Sequence, residues 1–97
     1  MHSLDPLLRP KSIAVIGASR KESSIGWQIL DNLLKHGFQG PVYPVNPKAA
    51  AIHSISAYAR IQDVPGPVDL AVVVVPKEHV LQVVRESVEA GARGFVV

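Results

Sequence analysis

Residues 12–26 read S-I-A-V-I-G-A-S-R-K-E-S-S-I-G, and this stretch decides the fold. It contains an unbroken apolar run at residues 13–16, which Gly17 ends. A short apolar run of this kind is typical of a strand that is buried on both faces, as in a parallel sheet. The run therefore predicts one strand of a sheet that is covered on both sides.

A helix is predicted after the loop that follows this strand. Its apolar residues recur every three to four positions and so share one face; they are Ile25, Ile29, Leu30, Leu33 and Leu34. Trp27 is expected to be partly buried, and Gly37 stands where a left-handed residue would end the helix. In such a unit the helix N-terminus and the loop amides point at one place, which favours phosphate groups.

Weaker patterns follow this helix. A second strand is predicted at residues 42–45, where Pro44 lacks an amide donor and suggests irregular pairing. A helical turn is predicted at residues 49–52, and a brief extended piece at residues 54–58. These two short segments have the least distinct patterns in the chain.

The clearest strand comes next, at residues 68–75, V-D-L-A-V-V-V-V, and Pro76 ends it. A second helix is predicted after Pro76, with Gly91 at its C-terminal end. Residues 94–97 begin another apolar strand, and the sequence stops inside it. We therefore expect a C-terminally truncated domain that belongs to a longer protein.

The alternation of strands and helices predicts an α/β fold, a Rossmann-like doubly wound parallel sheet with right-handed crossovers. With the strands numbered along the chain, the expected order is 3-2-1-4-5, and a ligand is expected across the switch between strands 1 and 4. Residues 1–97 are predicted to form one domain, on which an N-terminal arm packs Leu4, Leu7 and Leu8.

Composition excludes several classes of function. The 97 residues include no cysteine, so disulfides and thiolate metal sites are excluded, and the four histidines lack metal-ligand spacing. The net charge is only +2 and its cations are scattered, which argues against nucleic acid as a partner. No signal peptide or membrane-spanning run is evident, so no membrane partner and a cytoplasmic location are predicted. His79 is expected to be a solvated residue of the second helix.

The first loop does not fit the common nucleotide motifs. In the dinucleotide fingerprint G-x-G-x-x-G, the second and third glycines would stand at Ser19 and Glu22. Asn46 takes the place of the expected acidic residue, which disfavours NAD, while Lys48 leaves NADP as an alternative. The spacing from Gly17 to Gly26 also excludes a P-loop.

Coenzyme A fits the loop residues better, because it offers a pyrophosphate and a separate ribose 3′-phosphate. Arg20 and Lys21 are candidates for the pyrophosphate, together with loop amides and nearby hydroxyls, those of Ser19, Ser23 and Ser24. Lys48 is the candidate for the ribose phosphate, which it would hold as a point charge.

Three motifs together resemble a known family. They are I-A-V-I-G-A-S-R with a downstream I-G, V-Y-P-V-N-P-K, and V-P-G-P-V-D-L-A-V-V-V-V-P. The chain resembles, over nearly its whole length, the N-terminal CoA-binding domain of NDP-forming acyl-CoA synthetases. That family includes ADP-forming acetate–CoA ligases and relatives of the succinyl-CoA ligase alpha subunit. The same domain also serves as a regulatory part of some protein acetyltransferases and as a small stand-alone CoA-binding protein.

The resemblance implies which residues hold CoA. The first loop would hold the CoA phosphates, a second group would follow strand 2, and a third would border the CoA after strand 4. These groups map onto Gly17, Ala18, Ser19 and Arg20, onto Asn46, Pro47 and Lys48, and onto Val75 and Pro76. Together with Lys21, Ile25 and Gly26 of the first loop and helix start, they form the predicted cofactor site. The succinyl-type relatives have a second glycine in the first loop, near the position of Arg20 or Lys21, so the details of the phosphate cradle differ here.

The resemblance also implies what lies elsewhere. The family's catalytic histidine belongs to a later domain, and none of the four histidines here matches it. ADP or ATP would bind in other parts of the parent ligase, whose remaining domains are the expected partners. A CoA-sensing domain and an NADP-binding domain remain alternatives. A homodimer through the C-terminal strand is also expected, because that strand would expose a sheet edge.

Overall fold

The computed structural model describes residues 10–96, so the predicted packing of Leu4, Leu7 and Leu8 and the end of the last strand at Val97 lie outside it. In chain order the elements are β1 (Ile13–Ile16), α1 (Ile25–Lys35), β2 (Val42–Val45), β3 (Ala51–Ile52), β4 (Ile55–Ser56), a 3-10 turn (Ile61–Asp63), β5 (Leu70–Val73), α2 (Lys77–Glu89) and β6 (Gly94–Val96).

Four parallel strands form the main sheet, in the order β2-β1-β5-β6. Ile13 of β1 lies opposite Val42 of β2 on one side and Leu70 of β5 on the other. Helix α1 connects β1 to β2, and α2 connects β5 to β6. The predicted Rossmann-like α/β fold is therefore confirmed, with β1 and β5 as neighbours at the predicted switch.

The predicted third strand, at residues 54–58, pairs with the main sheet through a single β-bridge. Tyr58 lies parallel to Val45 beyond β2, where its amide donates to the carbonyl of Pro44 (2.9 Å) and its carbonyl accepts from the amide of Asn46 (2.8 Å). Pro44 pairs with β1 on one side and receives this bond on the other. The third strand thus has its predicted neighbour, but only one residue of it is paired with β2.

The helical turn predicted at residues 49–52 is wrong. Ala51–Ile52 is a short strand that pairs antiparallel with Ile55–Ser56 in a hairpin. The hairpin buries Ile52 to 1% exposure among the residues under α1. A single helical turn has no comparable source of stability, because helix nucleation is unfavourable.

The sheet is covered on both faces, as the apolar strands predicted. Alternate residues of β1 face opposite sides. Ile13 and Val15 pack with Leu30 of α1, while Ala14 and Ile16 lie in the cluster that α2 covers. In the part of the chain that the structure describes, neither helix is long and apolar enough to cross a membrane.

The tip of the β3–β4 hairpin contacts α1. His53 Nε2 lies 2.8 Å from Asp31 Oδ1, and Lys35 Nζ lies 3.0 Å from Asp31 Oδ2. The ring of His53 lies 5.0 Å, centroid to centroid, from that of Trp27. Trp27 is partly buried, as predicted. The hairpin is therefore fastened to the helix by the His53–Asp31 hydrogen bond and an aromatic contact.

Asp31→Asn is expected to remove an acid-sensitive part of the stability. The hydrogen bond with His53, and then that with Lys35, lowers the pKa of Asp31 below its ordinary value of 3.8. A carboxylate with a lowered pKa stabilises the fold above its unfolded-state pKa, and this stabilisation is lost as the pH falls through the folded-state pKa. Urea unfolding should show the variant less stable than the wild type at pH 7, with the difference shrinking as the pH falls below 3.8. A difference that does not change with pH would contradict this account.

Candidate functional site

Three loops meet at the carboxyl edge of the sheet, after β1, β2 and β5. The Gly17 amide donates to the carbonyl of Val45 (3.0 Å), and the Val74 amide donates to the carbonyl of Ile16 (2.7 Å). These bonds continue the ladder of the sheet past the ends of the strands. The starts of the three loops are thus held side by side, as the fold predicted.

Two glycines allow the parts of this edge to approach closely. Gly17 has a φ of +96°, and a Cβ added there would lie 1.8 Å from the carbonyl oxygen of Val74. A Cβ added at Gly26 would lie 2.3 Å from the carbonyl oxygen of Gly17. Gly26 thus lets the helix pack closely on the end of β1, which sets the N-terminus of α1 directly behind the first loop.

The first loop is shaped by its serines. Ser19 Oγ accepts from the amide of Lys21 (3.0 Å). Ser24 Oγ donates to the carbonyl of Lys21 (2.7 Å) and accepts from the amide of Trp27 (3.1 Å), so Ser24 caps α1. The loop and helix thus already use the Ser24 hydroxyl, and a role for it at a phosphate stays a prediction. Ser23 is exposed.

Asn46 connects the second loop to the first. Its Nδ2 donates to the carbonyl of Ala18 (2.7 Å), and its Oδ1 accepts from the amide of Lys48 (2.7 Å). An acidic residue would lack the donor of the first bond. This explains why asparagine suits a position where the dinucleotide fingerprint has an acidic residue, and it leaves the amide group of Asn46 engaged within the protein.

A cleft of about 340 Å³ opens at the same edge, on the face of the sheet that α2 covers. Its walls are mainly apolar side chains of the core on that face, with polar residues at the rim. The lining residues are Ile16, Gly17, Val45, Pro47, Ala59, Arg60, Ile61, Val75, Pro76, His79, Gln82, Val83 and Glu86.

The predicted site residues divide between this cleft and its surroundings. Those that line the cleft are Gly17, Pro47, Val75 and Pro76. Arg20, Lys21 and Lys48 are exposed in the neighbouring loops, where ion pairs for them are absent within residues 10–96. Ala18 is fully buried, so only its backbone is near the edge, and Ile25 is 66% exposed at the start of α1.

Sequence reasoning missed the polar residues at the rim. His79, Gln82 and Glu86 recur at helical spacing along α2 and line the cleft together, and Gln82 Nε2 donates to Glu86 Oε2 (3.3 Å). His79 is exposed, as expected, yet it borders the cleft. Arg60 lies two residues after Tyr58, whose bridge to β2 takes the place of the predicted third strand. Its Nη2 lies 4.0 Å from Asp63 Oδ1. The helical spacing was a visible signal for the three residues of α2.

This edge combines exposed positive charge with an adjoining apolar cleft. Three exposed cations lie in the loops beside the N-terminus of α1, an arrangement that favours anions. The cleft has apolar walls with polar residues at its rim, as small-molecule sites commonly do. Among the described residues, no group of three histidine, aspartate or glutamate side chains is arranged to hold a metal ion.

The family model described as a CoA binding domain matches residues 11–97. The chain belongs to this family. The fold, the three loops and the relatives agree with the resemblance that the motifs indicated.

One relative is named an acetate–CoA ligase and another an acetyl-coenzyme A synthetase. The chain is 44% identical, over 97% of its length, to "Acetate--CoA ligase [ADP-forming] II" of Archaeoglobus fulgidus. It superimposes with a TM-score of 0.94 and 47% identity on a dinucleotide-forming acetyl-coenzyme A synthetase of Ca. Korarchaeum cryptofilum, solved with phosphate and ADP, again over 97% of this chain.

These relatives are much longer than the chain. It spans 14% of the Archaeoglobus ligase and 20% of the Korarchaeum structure. A shorter relative is also solved, a conserved hypothetical protein of Pyrococcus furiosus with a TM-score of 0.79 and 39% identity. In that comparison the match covers 88% of this chain and 72% of the other.

Proposed function

We propose that this chain binds coenzyme A as the CoA-binding domain of an NDP-forming acyl-CoA synthetase. The observation that carries the proposal is the meeting of three loops at one sheet edge, with exposed cations on one side and an apolar cleft on the other. Family membership and the CoA ligases among the relatives support it.

The CoA phosphates are proposed to lie over the first loop and the N-terminus of α1. There, free amides and the positive end of the helix dipole favour anions. Arg20 and Lys21 would hold the pyrophosphate as charge-assisted donors, and Lys48 would hold the ribose 3′-phosphate. All three side chains are exposed and so accessible to a ligand from solvent.

The adenine base is proposed to occupy the cleft. A volume of about 340 Å³ is at the lower end of small-molecule sites, so the cleft would take one part of CoA and not the whole molecule. Apolar walls suit the faces of a purine. At the rim, the Glu86 carboxylate would accept a hydrogen bond from the exocyclic amine, beside the Gln82 amide with which it already interacts.

NADP is the competing ligand, because Lys48 would also suit a ribose 2′-phosphate. Calorimetric titrations with CoA, dephospho-CoA and NADP test the proposal. We expect binding of CoA, weaker binding of dephospho-CoA, and no measurable binding of NADP. Binding of NADP but not CoA would contradict the proposal.

Glu86→Gln is expected to weaken CoA and adenosine 3′,5′-bisphosphate about fivefold. A hydrogen bond to a charged acceptor contributes about 1 kcal/mol more than one to a neutral acceptor. Pantetheine 4′-phosphate should bind as before, since it lacks the base. Glu89→Gln is the matched control, because Glu89 is exposed on the same helix and does not line the cleft. Equal affinity of both variants for CoA would contradict the placement of adenine.

The activity of the parent protein is proposed to be the formation or use of acyl-CoA, with ADP or ATP bound in other domains. A second candidate is a regulatory or stand-alone CoA-binding protein, which the short Pyrococcus relative favours. The full gene distinguishes them. A nucleotide-binding ATP-grasp domain with a phosphohistidine domain would support the ligase, and an acetyltransferase domain would support the regulator.

Self-association through β6 is also proposed. Within residues 10–96, β6 pairs only with β5, and Val96 on it is 48% exposed. An unpaired strand edge is a template for a second copy. Analytical ultracentrifugation should show a dimer that Val96→Lys weakens, and a monomer at high concentration would contradict this.

A further inference from the structure

We propose that His53 is a positioning residue, which fastens the β3–β4 hairpin to α1 and so fixes the loops that carry Lys48 and Arg60. This inference rests on the proposed function, because those two loops border the proposed CoA site. His53 itself does not line the cleft.

The hairpin connects two parts of the site directly. Lys48 lies three residues before β3, and Arg60 lies four residues after β4. At its base the hairpin is closed by the Ala57 amide, which donates to the carbonyl of Ala50 (2.9 Å), and the adjoining Tyr58 bridges to β2. A displacement of the hairpin would therefore move the loops on both sides of it.

The turn of the hairpin has an unfavourable backbone conformation. His53 and Ser54 have φ values of 56° and 65°, a left-handed pair that is typical of a two-residue turn and normally occupied by asparagine and glycine. Residues other than glycine adopt this region at a cost in free energy. Something at the tip must therefore compensate for this conformation.

The contacts of His53 provide that compensation. Its Nε2 lies 2.8 Å from Asp31 Oδ1, and its ring lies against Trp27. Asp31 is 9% exposed, so its carboxylate needs the partners that His53 and Lys35 supply. Ser54 makes no side-chain hydrogen bond within residues 10–96 and is exposed. Of the two left-handed residues, His53 is thus the one that fastens the tip of the hairpin to α1.

Helix α1 transmits this contact to the first loop. Trp27 and Asp31 lie one turn apart on α1, and Trp27 donates its amide to the Ser24 cap. Gly26 on the same helix packs on Gly17. One helix therefore supports the first loop at its N-terminus and holds the hairpin along its side, which fixes the distance between the two groups of phosphate candidates.

His53→Gly tests the inference, with Ser54→Gly as the matched control. Both variants relieve the left-handed conformation, but only the first removes the contacts with Asp31 and Trp27. We expect His53→Gly to weaken CoA five- to twentyfold in calorimetry while it still unfolds cooperatively in urea. Ser54→Gly should bind CoA like the wild type. His53→Gln, whose amide can donate to Asp31, should recover part of the affinity.

A readout without ligand separates this inference from the proposed function. Amide hydrogen exchange at Lys48 and Tyr58 should be at least fivefold faster in His53→Gly than in Ser54→Gly. If the wild type does not bind CoA, the proposed function fails, and the exchange rates still decide whether His53 positions the loops. Equal exchange in the two variants would overturn the inference. So would equal CoA affinity of the two variants, given a wild type that binds CoA.

Discussion

Gly17→Ala is expected to destabilise the fold by about 3 kcal/mol or more, a large part of the roughly 5–15 kcal/mol available to a domain of this size. The residue has a φ of +96°, which costs about 1–3 kcal/mol for a residue with a Cβ. The added carbon would also lie 1.8 Å from the Val74 carbonyl oxygen. Relief of that overlap must separate β1 from β5 and adds about 1–3 kcal/mol. Urea unfolding measures the loss.

Gly37→Ala and Gly91→Ala are the matched controls for this prediction. Both glycines have positive φ, +72° and +93°, but an added Cβ meets nothing within 4 Å. Each control should cost about 1–3 kcal/mol, for the backbone conformation alone, without the added cost of the overlap. If Gly17→Ala costs no more than these two, the close contact of the first loop with β5 is not a determinant of the fold.

The double variant Arg20→Ala, Lys48→Ala is expected to bind CoA about 30- to 100-fold more weakly than the wild type. Each contact is a hydrogen bond to a charged phosphate, and exposure of both side chains reduces its contribution to about 1–1.4 kcal/mol. The loss should become smaller at high salt, because exposed charges are screened. Lys48→Ala alone should abolish the preference for CoA over dephospho-CoA.

A control for this variant removes two cations away from the site. Lys11 precedes β1 at the opposite edge of the sheet, and Arg85 is exposed on α2 outside the cleft. Lys11→Ala, Arg85→Ala changes the net charge equally. It should leave CoA affinity within about twofold of the wild type, since distant exposed charges are screened. Equal losses of CoA affinity in the two double variants would mean that the affinity depends on net charge and not on a specific site.

The sequence was sufficient to predict the β1–loop–α1 unit and the parallel sheet. An apolar run ended by Gly17 and a helical apolar face are local patterns, and they agree with the burial that the sheet imposes. The buried strand before Pro76 was equally clear, although its paired part is only Leu70–Val73. Such elements are predictable because local pattern and tertiary packing require the same structure.

The hairpin and the cleft could not be predicted in the same way. Ile52 and Ile55 form strands only because α1 and the sheet edge supply an apolar surface for them. The two roles of Asn46 and the capping role of Ser24 depend on groups that only the folded chain brings near. The extent of the domain over residues 1–97 and the cytoplasmic location stay predictions.

The most direct test of the central claim is an NMR titration of the ¹⁵N-labelled chain with CoA. Our account predicts saturable shifts of the backbone amides of residues 17–21 and 77–79 and of Asn46, Lys48 and Val75, with further changes at Arg60 and Glu86. Little should change at the outer surface of α1 around Asn32 and His36. Shifts confined to that outer surface, or the absence of any shift at millimolar CoA, would contradict the claim that this sheet edge is a CoA site.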